Sequence, residues 1–389
     1  MKQIIPKITF WRVVAVIIIV AGLYSTYLRF TGGLGASTNL SDEFPWGLWI
    51  GFDILVGVGL AAGGFTICAI THIFNIEKYK PLARPAILTA FLGYLLVIFG
   101  LMYDVGKPYN IWHAIIYWNP RSVMFEVAWC VMLYTTVLFL EFLPIPLEKF
   151  GMKKLLSFMK KIGIPIMITG VILSTLHQSS LGSLFLIVPQ KMYPLWYSSL
   201  LPVYFFISAV GAGLTMVIFE AYLSARAFNK GIEADLLSRI GLYSVVVLML
   251  GLVIKLIDFA LTDKIHLLFT INNYTLLFYL EILVGTLVPF GLLIQKRIRE
   301  NRRWLYASAI MVISGFLLNR LNVSITSITP GAGVTYFPSI YEISVTLMLV
   351  TLGMWAFKII AKSFPVFSTE MHYENHNYEL EQKVSESKV

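Results

Sequence analysis

Long apolar runs separated by short polar connections follow one another along almost the whole chain. Ten of these runs are about 20 residues or longer, enough to cross roughly 30 Å of hydrocarbon as a helix that rises about 1.5 Å per residue. The predicted spans are 10–30, 47–74, 84–104, 120–142, 162–180, 197–226, 238–261, 273–295, 304–322 and 340–362. The pattern predicts an all-α membrane protein with about ten transmembrane helices.

Lysine and arginine are distributed unevenly between the connections. They cluster at the N-terminus and near 75–84, 149–161, 226–239, 296–303 and 358–362. The intervening connections contain only Lys107, Lys191 and Lys264. By the positive-inside rule we expect a multi-pass protein of the cytoplasmic membrane with both termini in the cytoplasm. The basic residues that precede the first span also resemble a secretory signal, but with nine further spans behind it we expect a retained helix.

Composition removes several functional classes. With 58% hydrophobic and 13% charged residues, the chain is not an ordinary soluble domain, and its net charge of +9 lies in topogenic clusters rather than in a nucleic-acid-binding face. The two cysteines, Cys68 and Cys130, lie in apolar runs without C-x-x-C spacing and cannot hold an iron–sulfur cluster by themselves. The polar, acidic tail 368–389 predicts disorder or a loose contact with a partner.

An internal repeat relates the two halves of the chain. Pro45, Trp46 and the sequence AGGFT at 62–66 match Pro194, Trp196 and GAGLT at 211–215, and the acids Asp104 and Glu126 match Asp258 and Glu281. Spans two to five and six to nine are therefore predicted to be two related four-helix bundles. The predicted domains are 1–46 (first helix and outer loop), 47–182 (first bundle), 183–322 (second bundle), 323–367 (tenth helix) and 368–389 (polar cytoplasmic tail).

Ionisable side chains occur in four helices of the first bundle, and the topology places them all in its outer third. They are Asp53, Asp104, Glu126 and His177. Charged groups at such depth are costly, so we interpret the group as a functional site. In the second bundle the acids are accompanied by Lys255 and Arg320, which favours a structural ion-pair network there.

A proton-exchanging cluster near one face, reached from lipid, is suited to quinone redox chemistry. His177 can donate to a quinone carbonyl and exchange a proton, and Asp104 or Glu126 can relay it, which makes these three the catalytic candidates. With His177 and Asp104, the predicted pocket residues are Trp112, Tyr117, Ser179 and Arg121. With Glu126, the proton-transfer candidates are Asp53 and His72. We expect no metal site.

Haem is the main competing cofactor. It requires two axial ligands at matched depth on facing helices. His72 lies near the inner end of span two and His177 near the outer end of span five, while His113 and His266 lie in outer connections. We therefore expect neither haem nor an iron–sulfur cluster in this chain, so electrons must pass through a partner docked at the outer face.

Three stretches resemble the NrfD/polysulfide-reductase membrane-subunit family: NPRSVMFE at 119–126, LHQSSLG at 176–182 and NRLNV at 319–323. The resemblance covers nearly the whole chain apart from the tail and is greatest to the ten-span branch with HybB, DsrP (Hme) and Hmc subunits. It implies a haem-free, quinone-reactive subunit that docks to an extracytoplasmic ferredoxin-like iron–sulfur subunit. The family's acidic residue of span four falls on Glu126 and its quinone-pocket histidine on His177.

The resemblance leaves two assemblies open. A NiFe hydrogenase would send electrons to menaquinone. A Dsr/Hme-type complex would draw them from menaquinol towards multihaem cytochrome c and heterodisulfide-reductase-like subunits, as in the sulfur metabolism of sulfate reducers. Either way, the oxidoreductase activity belongs to the complex.

Alternative functions are a proton-coupled secondary transporter and a passive membrane anchor of a redox complex. Proton translocation is also open. Thr66, His72, Tyr94 and Glu220 are candidates for an inner half-channel, and ordinary packing explains each of them equally well.

Overall fold

A computed structural model describes residues 9–228, 231 and 234–367, so the predicted tail 368–389 lies outside the described residues. Ten long apolar helices make up most of it, as the sequence predicts, and the described ranges contain no β-strand. They are α1 (Phe10–Gly32), α2 (Trp49–Ile73), α3 (Glu77–Asp104), α4 (Val123–Lys149), α5 (Lys153–Ile187), α6 (Leu201–Phe228), α7 (Ala234–Leu261), α8 (Asn273–Leu293), α9 (Arg302–Ala332) and α10 (Ile340–Ser363). Short helical turns lie in the connections at Leu34–Ser37, Pro108–Asn110, His113–Ile116, Pro189–Lys191 and Ile265–Phe269. The chain is an integral membrane protein.

The ten helices form two four-helix bundles with two helices at the side. Helices α2 to α5 contact one another in a ring, as do α6 to α9, while α1 and α10 pack along each other and α10 also contacts α3. The largest clusters of buried apolar side chains include residues of both bundles. Helix α6 joins the bundles, since it contacts α2 and α5 as well as α7 and α9. This arrangement agrees with the repeat seen in the sequence.

The repeated glycine motifs meet where the bundles touch. A Cβ atom added to Gly63 would lie 2.6 Å from the carbonyl oxygen of Gly213, and one added to Gly213 would lie 2.4 Å from the nitrogen of Gly63. The two backbones can approach this closely only because neither residue has a side chain. The dense small residues of α2 and α6 therefore serve helix packing.

Four wider π-helical turns occur in the helices α2, α8 and α9, and three of them lie at buried carboxylate or amide side chains. The turn Trp49–Val56 contains Asp53, Leu283–Leu287 follows Glu281, and Asn322–Thr326 begins at Asn322. Such turns shift the register of the helix by a fraction of a turn and occur often at functional sites. They influence which neighbouring helix each polar side chain faces.

Several helices are longer than their apolar segments. Helix α5 begins at Lys153 rather than at 162, and α9 continues to Ala332 rather than ending at 322. The apolar run marks only the part of a helix that lies in lipid, whereas the hydrogen-bonded backbone continues into the polar boundary. Pro165 is accommodated inside α5. The two cysteines are buried and unpaired, as expected.

Candidate functional site

Helix α5 contacts its neighbouring helices through a polar stretch near its C-terminal end. Within one and a half turns, Gln178 Nε2 donates to the carbonyl oxygen of Val58 on α2 over 3.0 Å, and Gly182 packs on the backbone of α6 at Leu201. His177 and Ser180, in the same stretch, contact α3 and α4. The LHQSSLG sequence therefore supplies one contact to each of four neighbouring helices, which fixes the position of its polar side chains.

His177 is fully buried and oriented by Tyr94. Its Nδ1 atom lies 2.8 Å from the Tyr94 hydroxyl oxygen, and either atom can be the donor, depending on the tautomer. The Tyr94 ring in turn packs edge-on against Tyr134, with 4.7 Å between ring centroids. Nε2 makes no hydrogen bond with the described residues. One ring nitrogen is thus held by the protein, while the other remains free for proton exchange.

Glu126 lies on the exposed side of the same region. Ser180, one turn after His177, donates a hydrogen bond to the Glu126 carboxylate. Glu126 lies in the first turn of α4, where the Ser122 side chain caps the helix and the helix dipole favours a negative charge. Its side chain is exposed, whereas Ser180 and His177 are buried. The hydrogen bond between Glu126 and Ser180 therefore connects the surface of the bundle with the buried His177 site.

Polar groups continue from His177 towards the opposite face. Ser174 lies one turn before His177, and neither its hydroxyl nor that of Tyr134 has a hydrogen-bond partner among the described residues. Glu141 follows beside Tyr134, with a carboxylate oxygen packed against Gly170 on α5. Buried polar groups of this kind in proteins are commonly bonded to ordered water. Sequence reasoning missed Glu141 and Tyr134, although an acid inside an apolar helix is itself a signal.

Asp53 and Asp104 face a different part of the molecule. The Thr346 hydroxyl of α10 donates to Asp53 over 2.6 Å. Asp104 lies near Arg29 of α1, and Arg29 donates to the carbonyl oxygen of Tyr103 over 2.6 Å. The predicted convergence of four ionisable groups is therefore corrected to two separate groups. The reason is rotation about the helix axes: similar depth does not imply a common face.

A buried carboxylate completes this second group. Glu342, in the first turn of α10, accepts from the Tyr336 hydroxyl at 2.5 Å and from the backbone nitrogen of Asn39 at 3.1 Å. Tyr336 lies between α9 and α10, where burial and the adjacent carboxylate raise the pKa of its phenol. The phenol therefore stays protonated and donates. Asp53, Asp104 and Glu342 together attach α1 and α10 to the first bundle.

The other predicted pocket residues lie at the surface. Trp112 and Tyr117 are 49% and 68% exposed in the connection between α3 and α4, and Arg121 is exposed at its end. Ser179 is half-buried beside Ser180, on the adjoining side of α5. His72 is exposed at the inner end of α2. The structure does not bring these side chains into contact with His177, and their roles remain predictions.

The positions of the histidines bear on whether the described spans could hold a haem. His72 lies one residue from the C-terminal end of α2, whereas His177 lies ten residues from the C-terminal end of α5. The C-terminal ends of the second and the fifth helix lie on opposite sides of the membrane. Two histidines in opposite halves of the membrane cannot be axial ligands of one haem. A bis-histidine haem therefore does not fit the described spans.

The second bundle contains a hydrogen-bonded network around Glu281, with one loose ion pair in place of the ion-pair network that its charges predicted. The Glu281 carboxylate accepts from Trp196 Nε1 at 2.9 Å, Asn319 Nδ2 at 2.7 Å and Asn322 Nδ2 at 2.9 Å, and the Lys255 ammonium lies 3.8 Å away. Arg320 donates to the Asn319 side-chain oxygen over 2.7 Å, so it reaches Glu281 only through an amide. Its guanidinium lies 3.7 Å from the centroid of the Phe205 ring, which helps to offset the cost of burying it.

Comparison with known proteins decides the family. Residues 36–330 match the family described as "Polysulphide reductase, NrfD". The chain belongs to the NrfD family. The match confirms, over most of the chain, the family resemblance that the three sequence motifs indicated.

Similar NrfD-family proteins cover nearly the full length of the chain. A protein of Nitratidesulfovibrio vulgaris is 41% identical, over 94% of this chain and 95% of its own length. The "Probable Ni/Fe-hydrogenase 2 b-type cytochrome subunit" of Escherichia coli is 33% identical, over 90% of this chain and 91% of its own. The "Menaquinone reductase, integral membrane subunit" of Nitratidesulfovibrio vulgaris is 26% identical, over 94% and 93%. One relative thus bears the name of a cytochrome and another that of a menaquinone reductase subunit.

Proposed function

We propose that this chain is the quinone-reactive membrane subunit of a respiratory redox complex. It exchanges electrons between menaquinone or menaquinol and an iron–sulfur partner docked at the outer face. The observation that carries the proposal is the hydrogen bond from buried Ser180 to exposed Glu126, one turn from the buried His177–Tyr94 pair. The names of the Escherichia coli and Nitratidesulfovibrio vulgaris relatives, a hydrogenase subunit and a menaquinone reductase subunit, support it.

The geometry suggests a role for each of these residues in proton exchange with the quinone. Because His177 and Ser180 are buried, a quinone ring at the edge of the bundle contacts Glu126 first. When bound, the quinone takes up or releases two electrons and two protons. Ser180 orients the Glu126 carboxylate, Glu126 exchanges a proton with the quinone oxygen, and His177 passes that proton to or from the bundle interior. Tyr94 fixes the imidazole ring and is a positioning residue.

The buried polar groups offer a route for protons to the opposite face. His177, Ser174, Tyr134 and Glu141 follow one another along α4 and α5, and Glu141 lies in the inner half of the bundle. We propose that protons for the quinone travel along this line. Among the half-channel candidates from the sequence, Tyr94 lies at its outer end and Glu220 does not belong to it, since Glu220 bonds with Ser224 on α6.

The topology gives the proposed location. The basic connections lie at one end of the bundles and the aromatic connection between α3 and α4 lies at the other. This distribution supports a location in the cytoplasmic membrane with both termini in the cytoplasm. The exposed Trp112 and Tyr117 then lie at the outer boundary, beside the quinone edge. A partner that covers this surface would be close enough to the quinone to exchange electrons with it.

Turnover of the purified complex tests the proposal. Reduction or oxidation of a soluble naphthoquinone should depend on this subunit and be inhibited by head-group analogues. A passive anchor predicts full insensitivity to the analogues, and a secondary transporter predicts movement of a solute gradient in vesicles without quinone turnover. Either of those outcomes would reject the proposal.

A further inference from the structure

A cavity lies in the centre of the second bundle, away from the proposed quinone edge. All four helices α6 to α9 line it, and its volume is about 100 Å³. Its walls are mostly apolar, formed by Ile207, Leu248, Leu252, Ile282 and Val312. Tyr204, Lys255, Glu281 and Asn319 form a polar end. Cores of four-helix bundles are common places for ligand sites with mostly apolar walls and a few polar groups.

The polar end displays hydrogen-bond donors that the protein does not use. Glu281 already accepts three hydrogen bonds, and the nearest approach of Lys255 to it is 3.8 Å, beyond hydrogen-bond distance. The Lys255 ammonium makes no hydrogen bond with the described residues and lies 4.6 Å from the Phe278 ring centroid. The Tyr204 hydroxyl also makes no hydrogen bond within 3.5 Å among the described residues, although the Asp258 carboxylate lies near it. An ammonium and a phenol that make no hydrogen bond within the described residues, at the end of an apolar cavity, favour a ligand that brings an acceptor.

The cavity opens towards lipid between α7 and α8. Apart from the buried Glu281 and Gly285, its lining residues on these helices are half-buried, and the neighbouring Leu256 and Leu283 are 43% and 50% exposed. Three glycines, at 251, 285 and 315, line the space between the helices, and Gly285 packs directly on Gly315. A hydrophobic molecule can therefore enter from the bilayer.

Depth restricts the polar end of the ligand. Lys255 lies six residues from the outer end of α7, or about 9 Å along the helix, and Glu281 lies eight residues, or about 12 Å, from the start of α8. Both are below the plane of the helix ends, where lipid phosphates lie. The ligand's acceptor is therefore a neutral oxygen, such as a carbonyl, rather than a phosphate.

We propose that this cavity is a second binding site, for the head of a lipid-soluble quinone. A ring carbonyl accepts from Lys255 and Tyr204, the ring lies between Ile207, Leu252 and Ile282, and the isoprenoid tail leaves between α7 and α8. The site binds its ligand without a part in electron exchange, since the proposed redox edge lies in the other bundle. Carbonyl acceptors also occur in the esters of diacylglycerol lipids, and the experiment separates the two sources.

Photolabelling of the purified full complex tests the site. A naphthoquinone with a diazirine in its tail is irradiated with the complex, and adducts are mapped by mass spectrometry of peptides. Adducts in α7 or α8 that excess unlabelled naphthoquinone displaces support the proposal. Adducts that dioleoylglycerol displaces and naphthoquinone does not would assign the cavity to a lipid and overturn it, as would the absence of adducts from both helices.

A matched pair of variants distinguishes binding in the cavity from binding at the lipid-facing surface. Leu252→Trp fills the cavity without changing its charges, whereas Leu256→Trp adds the same ring one turn further on, at the lipid surface. We expect loss of the α7 and α8 adducts in Leu252→Trp, their retention in Leu256→Trp, and normal quinone turnover in both. Retention of the adducts in a folded Leu252→Trp complex would overturn the site. Glu126→Gln should lose quinone turnover and keep the α7 and α8 adducts. That variant tests the proposed redox edge and leaves the cavity site unaffected.

Discussion

The Nδ1 atom of His177 lies 2.8 Å from the hydroxyl oxygen of Tyr94, and this bond joins α5 to α3 inside the first bundle. The bond fixes the imidazole ring so that Nε2, the free nitrogen, keeps one orientation. A residue that exchanges protons needs such orientation, because the proton must move between atoms at hydrogen-bond distance. The pair gives the first test of how the buried site works.

Tyr94→Phe removes that bond and leaves the aromatic packing on Tyr134 in place. We expect quinone turnover to fall roughly fivefold, the effect of losing about 1 kcal/mol of orientation, with an unchanged KM for the quinone. The pH dependence of kcat should also shift, since Nδ1 of His177 loses its hydrogen-bond partner. Steady-state kinetics from pH 5.5 to 8.5 measure both effects. An unchanged pH profile would indicate that Tyr94 only fills space.

Glu126→Gln keeps the hydrogen bond from Ser180 but removes the proton-accepting carboxylate. We expect quinone-coupled turnover to fall about 10²- to 10⁴-fold, the usual range for loss of a general acid or base, while the complex assembles normally. His177→Ala should have a comparable effect. Assembly is checked by native gel electrophoresis of the purified complex.

Glu300→Gln is the matched control for Glu126→Gln. Glu300 is an exposed acid in the connection between α8 and α9, paired loosely with Lys296 over 3.7 Å. Its replacement should leave turnover unchanged. Near-normal turnover in both Glu126→Gln and His177→Ala would reject these residues as the site.

The Glu281 network should act on stability. Glu281→Ala removes the acceptor of three donors and leaves the Lys255 ammonium without its carboxylate, so we expect a loss of about 3–5 kcal/mol. Thermal unfolding in detergent, followed by tryptophan fluorescence, measures it. Glu300→Ala at the surface should change stability by less than about 0.5 kcal/mol. Equal melting temperatures for the two variants would show that the network contributes little.

The contact of Gly63 with Gly213 predicts a difference between two glycine substitutions. Gly63→Ala places a Cβ atom 2.6 Å from a backbone oxygen, and we expect it to destabilise the two-bundle arrangement by about 1–3 kcal/mol. Gly163→Ala, in α5, meets no atom within 4 Å and should be neutral or stabilising by up to about 1 kcal/mol. The same unfolding measurement compares them. A stable Gly63→Ala protein would mean that the bundles can separate at no cost.

The sequence pattern was sufficient to predict the helices, because the thickness of the hydrocarbon core sets the length of each apolar run. All ten predicted spans correspond to helices, and the ends differ where a helix continues into the polar boundary, as at Lys153. The repeat also predicted the two bundles. It could not predict that Gly63 and Gly213 touch, because the pairing of helices depends on the rotation of each about its axis.

The site was predictable in its residue types and less so in its geometry. Depth alone suggested that Asp53 and Asp104 join His177, but a π-helical turn at Asp53 and the pairing with Thr346 direct the side chain to α10. Glu141 was missed because it lies in the other half of α4 from Glu126. The cavity beside Lys255 has no sequence signature, since four helices contribute its walls.

The position of a bound quinone ring tests the central claim most directly. A structure of the intact complex, determined by electron cryomicroscopy with a head-group inhibitor at a concentration that stops turnover, would show it. We predict inhibitor density at the edge of α4 and α5, within hydrogen-bond distance of Glu126 or Ser180. Full inhibition with this edge empty would contradict the claim, wherever else the inhibitor was found.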